Sequence, residues 1–228
     1  MNITPDSKVG EIAAQHPMAT QVFSRHGIDF CCGGGVPLEQ ACTQRGLETP
    51  QILAEIDRVL AGRTASAGTE ADAEQWTEAP LADLIRHIVH AYHLPLREEL
   101  PRLESMLRKV HRVHGEKDPE RLARLLSTYL GLQAELMDHM GREESVLFPW
   151  ILQQGEGAVV PVTPFVDDHS AAGEALATIR ELTDGYQVPA EACNTWRALW
   201  HGLEALETSL HQHIHLENNI LFQRVHGM

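Results

Sequence analysis

Two stretches of the chain place a histidine four residues before a glutamate, each followed by a Leu-Phe pair at the same offset. One reads His139-Met-Gly-Arg-Glu143-Glu-Ser-Val-Leu147-Phe148 and the other His213-Ile-His-Leu-Glu217-Asn-Asn-Ile-Leu221-Phe222. On an α-helix, residues four apart lie one above the other on a single face, so each copy aims an imidazole and a carboxylate the same way. Both are ligands for divalent metals, and two such pairs on facing helices could enclose two ions. The chain also holds 14 histidines, a density for which metal ligation is the commonest reason.

Such groups need helices to position them. From Pro80 onward the apolar residues recur with a helical period in four long segments, about 80–114, 119–153, 163–184 and 189–225, with no convincing strand. Gly and Pro punctuate the connections at His114-Gly115 to Pro119, Gly155 to Pro164, and Asp184-Gly185 to Pro189. Short connections make consecutive helices antiparallel, which predicts an all-α, up-down four-helix bundle. Pro101 and Pro149 predict kinks in the first and second helices.

Turning each residue by about 100° around its helix separates inward from outward polar groups. His93 lies about 60° from the centre of the first apolar stripe, whereas His90 and His87 lie about 120° away and nearly opposite. On the second helix Glu143 falls within about 40° and His139 within about 80°; Glu144, at about 60°, is not excluded. His169 sits on the third stripe, in the run Phe165, His169, Ala172, Leu176, Ile179. On the fourth, Glu217 and His213 lie about 20° and 60° from the centre, with His211 and His215 turned away at about 100° and 140°. Each half therefore supplies one His from its first helix and His-x-x-x-Glu from its second.

Two carboxylates on apolar stripes cost several kcal/mol each when unpaired, so cations must accompany them. Arg142 and Arg224 do not share these stripes. Four imidazoles and two carboxylates exceed the four ligands of one structural zinc. They suit two borderline divalent ions bridged by the carboxylates, about 3.5–4 Å apart, with iron favoured and manganese next. Two His and a share of both Glu per ion leave coordination positions open for an oxo or hydroxo bridge, O2 or NO.

The N-terminal part, 1–62, reads as a small helical domain. Ser7 is placed to cap a first helix, Gly27 ends a second, Gly46 stops a third begun at Leu38, and Thr49-Pro50 opens a fourth. So small a unit has a marginal core, which points to docking or to a homodimer. Residues 63–78 form a linker rich in Ala, Gly, Ser, Thr and Glu, and 79–228 hold the bundle. Between the second and third short helices lies Cys31-Cys32-Gly33-Gly34-Gly35. Adjacent cysteines are not expected to chelate one ion with both thiolates, and a vicinal disulfide is strained. A redox-reactive or metal-passing thiol pair, activated by backbone N–H groups of the glycine loop, is one reading. Two small residues buried beside a turn is the other. Cys42 and Cys193 read as packing residues.

With 228 residues, 43% hydrophobic, the chain can bury a substantial core. Its formal net charge of −14 argues against nucleic acid and anionic membrane as partners. No apolar run approaches a membrane span and the N-terminus lacks a signal-peptide pattern, so a cytoplasmic location is expected. Four cysteines without framework spacing agree with a reducing compartment.

Several motifs together resemble a known family. They are Gly27-Ile-Asp-Phe-Cys31-Cys32-Gly33-Gly34, Ala79-Pro-Leu-Ala-Asp-Leu-Ile-Arg-His87-Ile, Tyr92-His93 with Arg97-Glu98-Glu99-Leu100-Pro101, His139-Met with Glu143-Glu144 and Leu147-Phe148-Pro149, and Leu216-Glu217-Asn218-Asn219 with Leu221-Phe222. The chain resembles, over nearly its whole length, the iron–sulfur cluster repair di-iron proteins of the YtfE/ScdA type. These join a Cys-Cys-Gly-Gly domain to a hemerythrin-like bundle. The resemblance implies two irons on His93, His139, Glu143, His169, His213 and Glu217, with Glu143 and Glu217 bridging, and thus selects Glu143 over Glu144. It implies a functional role for Cys31 and Cys32, proteins with damaged iron–sulfur clusters as partners, and NO or O2 as small ligands. Glu135 is a candidate for lining a polar channel to the metals. Asp168 stands where a Glu commonly precedes the third-helix His, which leaves the part played by groups behind the ligands open.

Three functions compete. Supply of iron to clusters damaged by oxidative or nitrosative stress comes first. Nitric oxide reduction at the di-iron site is an alternative, though no flavin or nicotinamide motif is visible to feed it electrons. A hemerythrin-like O2 or NO sensor or carrier is another, but hemerythrins use a fifth histidine and no further His lies on a mid-bundle stripe.

Overall fold

The computed structural model describes residues 3–61, 76–157 and 160–226. Among them every regular element is helical, and the single β-type pairing is an isolated bridge between Lys8 and Pro37. No described helix is long and apolar enough to cross a membrane. Residues 62–75 lie outside the described residues, and with them most of the 63–78 linker; 76–78 form a helical turn. The chain divides into two compact units, one drawn from Met1–Ile85, Ile151–Val160 and His211–Met228, the other from Arg86–Trp150 and Pro161–Leu210.

The helices are α1 (Val9–Gln15), α2 (Ala19–His26), α3 (Leu38–Gln44), α4 (Thr49–Ala61), α5 (Leu81–Ile88), α6 (Leu94–His114), α7 (Pro119–Arg142), α8 (Phe148–Gln154), α9 (Thr163–Leu182), α10 (Asn194–Leu216) and α11 (Phe222–His226). Three π-helical turns are inserted between them, at Val89–His93, Glu143–Leu147 and Glu217–Leu221. Proline explains two of these. Pro95 and Pro149 each stand at the second position of the α-helix that restarts, where the missing N–H breaks the i to i−4 ladder and the backbone widens to re-phase. The disturbance predicted at Pro149 is therefore a π turn just before it, while Pro101 lies inside the continuous helix α6.

In the second unit, α6, α7, α9 and the first part of α10 pack around one core that includes Leu100, Leu103, Tyr129, Leu136, Leu176 and Leu203. Tyr129 is fully buried and its hydroxyl donates to the Leu100 carbonyl at 2.8 Å, so the ring enters the core without an unsatisfied polar atom. Asp118 caps α7 by accepting from the Arg121 N–H, with Pro119 at the first helical position.

The first unit packs α1 to α4 around Val9, Phe23, Phe30, Leu38, Ile52 and Ile56, and this core includes Ile214 of α10. Residues from 211 onward add to this unit through hydrogen bonds as well. Gln212 donates to the Thr20 hydroxyl, Asn218 to the Cys31 carbonyl and Asn219 to the Phe30 carbonyl. Gly27 and Gly46 end α2 and α3 at φ 64° and 66°, as the sequence suggests. Ser7 does not cap α1: Lys8 holds the N-cap position without a side-chain bond, and the Ser7 Oγ accepts from the Thr4 N–H instead.

Candidate metal centre

The six ligands predicted from helical phase are all buried: His93, Glu143 and Glu217 are 0% exposed, His213 1%, His139 and His169 3%. His90 is exposed, as its rotation away from the stripe requires, whereas His87, placed nearly opposite the stripe, is half-buried and meets Tyr92 edge-on at 5.8 Å.

Within the second unit, Glu143 lies between two imidazoles. The His93 Nε2 is 3.4 Å from one carboxylate oxygen and the His139 Nε2 3.3 Å from the other. Those distances allow ion pairing, yet neither nitrogen is aligned as a hydrogen-bond donor, and both oxygens of Glu143 lack a hydrogen-bond partner. The His139 and His169 Nε2 atoms are 3.0 Å apart. That spacing suits an N–H···N hydrogen bond between the rings, and equally two nitrogens converging on one ion. A separation of about 3.0 Å is the edge expected between adjacent nitrogens about 2.1 Å from one ion at a right angle. Orphaned buried carboxylate and converging imidazoles fit a metal. In the first unit, His213 Nε2 and Glu217 Oε1 are 3.0 Å apart on successive turns of helix.

The π turns bear on these positions. His93 ends one, and Glu143 and Glu217 each begin one. Widening the helix at these residues changes which neighbours face inward. It separates the two candidates that a uniform 100° rotation left open: Glu143 is fully buried between imidazoles, whereas the Glu144 side chain is 33% exposed and lies behind His93.

Each of two histidines is backed by a carboxylate and an arginine. His93 Nδ1 is 2.8 Å from Glu144 Oε1, which also accepts from Arg97 at 2.8 Å. His139 Nδ1 is 3.1 Å from Asp168 Oδ2, which also accepts from Arg142 at 2.5 Å. An Nδ1–H donated to a carboxylate leaves the Nε2 lone pair for a metal and fixes the ring. Burial alone would raise the pKa of Glu144 and Asp168, but the hydrogen bonds from Arg97 and His93, and from Arg142 and His139, outweigh it and hold both below the ordinary carboxylate range. The departure at Asp168 thus retains a carboxylate function, one methylene shorter. Phe148 stacks on His93 at 5.8 Å and Phe165 meets His139 edge-on at 5.7 Å, which further restricts both rings.

A pocket of about 420 Å³ reaches this group, lined among others by Glu135, Asp138, Arg142, Asp168 and the predicted ligands His139 and His169. Glu135 is exposed in that lining. Among the described residues the one further buried histidine is His215, predicted to face away from the stripe. It does face away, yet it is not solvated: its ring meets Phe30 at 5.7 Å and its Nδ1 lies 2.9 Å from Asn219. Burial lowers its pKa to about 4, so it is a neutral packing residue. The signal missed was the small helical set that covers this face of α10.

The cysteine loop differs from its expected character. The N–H groups of Cys31 and Cys32 both donate to Asp29 Oδ1, at 3.0 and 2.9 Å, and are not aimed at a thiolate. A hydrogen bond with Cys32, burial, and the charges of Cys32 and Asp29 push the Cys31 thiol well above its ordinary pKa. Gly34 serves packing: a Cβ there would meet the Phe30 carbonyl oxygen at 2.8 Å and the Gly10 Cα at 2.9 Å. Cys42 is buried as expected, but Cys193 is exposed.

Comparison with known proteins agrees with both halves of the sequence. Residues 5–60 match the ScdA_N family, described as a domain of unknown function, and residues 84–225 match the hemerythrin HHE cation binding domain. The iron-sulfur cluster repair protein YtfE of Pectobacterium atrosepticum is 40% identical over 222 residues, covering 96% of each chain. The proteins of the same name from Cronobacter sakazakii and Yersinia pseudotuberculosis are 42% and 41% identical over 96% of both chains. Buried His and Glu groups compatible with non-haem iron, on a helical scaffold with both domain matches, lead to one assignment: the chain belongs to the hemerythrin HHE family, in the branch of the YtfE iron–sulfur cluster repair proteins.

Proposed function

We propose that this chain restores iron–sulfur clusters damaged by oxidative or nitrosative stress, supplying iron from a two-iron centre. In this reading His93, His139, Glu143, His169, His213 and Glu217 would hold the iron. The observation that carries it is Glu143, a fully buried carboxylate with no hydrogen-bond partner, set between two imidazoles whose Nδ1 atoms face Glu144 and Asp168. The name of its relatives, iron-sulfur cluster repair protein, supports the role.

Bound there, iron would supply exchangeable coordination positions and a ferrous–ferric couple. The protein's own part is to hold the imidazoles in one tautomer, to keep the carboxylates dry, and to provide a route. The pocket at His139 and His169 supports such a route, because acidic groups at Glu135, Asp138 and Asp168 attract a cation while Arg142 limits the local charge. Iron passing along it is the protein's cargo, delivered to proteins with damaged clusters.

The test is reactivation of an NO-damaged iron–sulfur enzyme by the wild type and by Glu143→Leu. Rescue by the wild type alone supports the reading, and equal rescue by both removes the centre from the function. The same pocket also favours a second reading, admission of a small ligand such as NO to the metals. Anaerobic conversion of NO to N2O at a rate matching cellular NO detoxification would move that reading to first place.

A further inference from the structure

We infer that Asp29, Cys31 and Cys32 form a second metal site, distinct in its ligands from the His and Glu set, that takes one thiophilic divalent ion through two thiolates and a carboxylate. The inference does not rest on the repair reading. Consecutive residues on extended backbone point their side chains in opposite directions, which is why neighbouring cysteines are poor chelators. Here the backbone is curled. Asp29 Oδ1 accepts from the N–H groups of both cysteines, and the turn brings the sulfurs to the same side, 3.7 Å apart. Two thiolates about 2.3 Å from one tetrahedral ion stand about 3.75 Å apart. Asp29 Oδ1 is 3.3 Å from the Cys31 sulfur, and a carboxylate–thiolate edge on the same ion is about 3.5 Å. One ligand atom from each of the three residues lies within 4.8 Å of the others.

The loop is held in this shape from outside. Asn219 and Asn218 donate to the carbonyls of Phe30 and Cys31, and Gly34 packs against Gly10 without room for a Cβ. A metal would therefore meet a site already arranged, which lowers the ordering cost of binding. Asp29 is exposed, Cys32 half-buried and Cys31 buried, so entry is from the carboxylate side and a fourth position stays open to an exchangeable ligand.

Chemistry narrows the ion. Two sulfurs and one oxygen suit Zn²⁺ or Fe²⁺ and disfavour Mg²⁺ and Ca²⁺, which require oxygen. Binding replaces two thiol protons with the metal: M²⁺ joins two S–H groups and one carboxylate, and two protons leave to solvent. Because two protons leave per ion bound, occupancy rises with pH.

The experiment uses the full chain carrying Cys193→Ser, to remove the exposed thiol, with its His and Glu ligands first loaded anaerobically with iron and metal held elsewhere then removed over a chelating resin. Co²⁺ is then titrated in. One further Co²⁺ per chain with thiolate-to-cobalt charge-transfer absorption is expected, lost in Cys31→Ser and in Cys32→Ser while the iron content and melting temperature stay unchanged. Asp29→Asn keeps an acceptor for both backbone N–H groups and removes the charge; it is expected to weaken Co²⁺ about tenfold or more. Competition with Zn²⁺ and with Fe²⁺ ranks the two ions. Absence of the charge-transfer band, its survival in Cys31→Ser, or indifference to Asp29→Asn would overturn the site, whatever the outcome of the cluster-repair assay.

Discussion

Glu143→Leu is expected to stabilise the metal-free protein and to remove most of the stability that iron confers on the wild type. Glu143 is 0% exposed and neither oxygen has a hydrogen bond, although His93 and His139 approach to 3.4 and 3.3 Å. Their Nδ1 atoms face Glu144 and Asp168, and neither Nε2 makes a hydrogen bond to the carboxylate. An unsatisfied buried polar group costs about 1–3 kcal/mol by mutational measures. Leucine has a similar volume and no such penalty, so the metal-free variant gains about that amount. For a chain of this size, about 2–4 °C accompany each kcal/mol, so its melting temperature rises by about 2–12 °C. Iron at a thousand times its dissociation constant stabilises the wild type by about 4.1 kcal/mol, and the order of the two proteins reverses. Calorimetry of chelator-treated and ferrous-loaded samples, kept anaerobic, checks both halves. A metal-free variant that melts below metal-free wild type, or an equal iron-induced shift in both, refutes the account of Glu143 as a ligand kept at a cost.

Three further outcomes are expected. Removing the carboxylate behind either imidazole, by Glu144→Ala or Asp168→Ala, should weaken iron about 10- to 100-fold in a chelator competition while the helical content is unchanged. Gly34→Ala should destabilise the first unit by about 1–3 kcal/mol, because the added Cβ meets backbone atoms on two sides, whereas Gly35→Ala, with nothing within 4 Å, should stay within about 0.5 kcal/mol by thermal melting. Tyr129→Phe should cost about 1 kcal/mol in urea unfolding, since the Leu100 carbonyl loses a buried donor at 2.8 Å.

Helical phase made much of the site legible. The stripe through Phe165, His169, Ala172, Leu176 and Ile179 is buried throughout, and His90 is exposed where rotation placed it. Uniform phase also explains the failures. It treats every turn as 3.6 residues, so it could not separate Glu143 from Glu144 across a π turn that starts between them and Arg142. It assigns any residue off the apolar stripe to water, and so it missed His215, which another part of the same unit covers with Phe30. Local reading of Cys31-Cys32-Gly33-Gly34 looked to the N–H groups of the glycine loop, and could not show that Asp29 accepts from the N–H groups of Cys31 and Cys32.

By itself the sequence determined the helices, their order, and the repeated His-x-x-x-Glu groups, because these depend on spacing along one helix. The tertiary structure alone decided which acid stands behind which histidine, what Gly34 is for, and where the two sulfurs point. Those outcomes depend on residues far apart in the chain or on the curl of one loop: Asp168 lies 29 positions from His139, and Asn218 lies 187 from Cys31. No periodic pattern records such pairings. They arise when packed helices bring a carboxylate, an arginine or a carbonyl within the few ångströms over which a hydrogen bond acts.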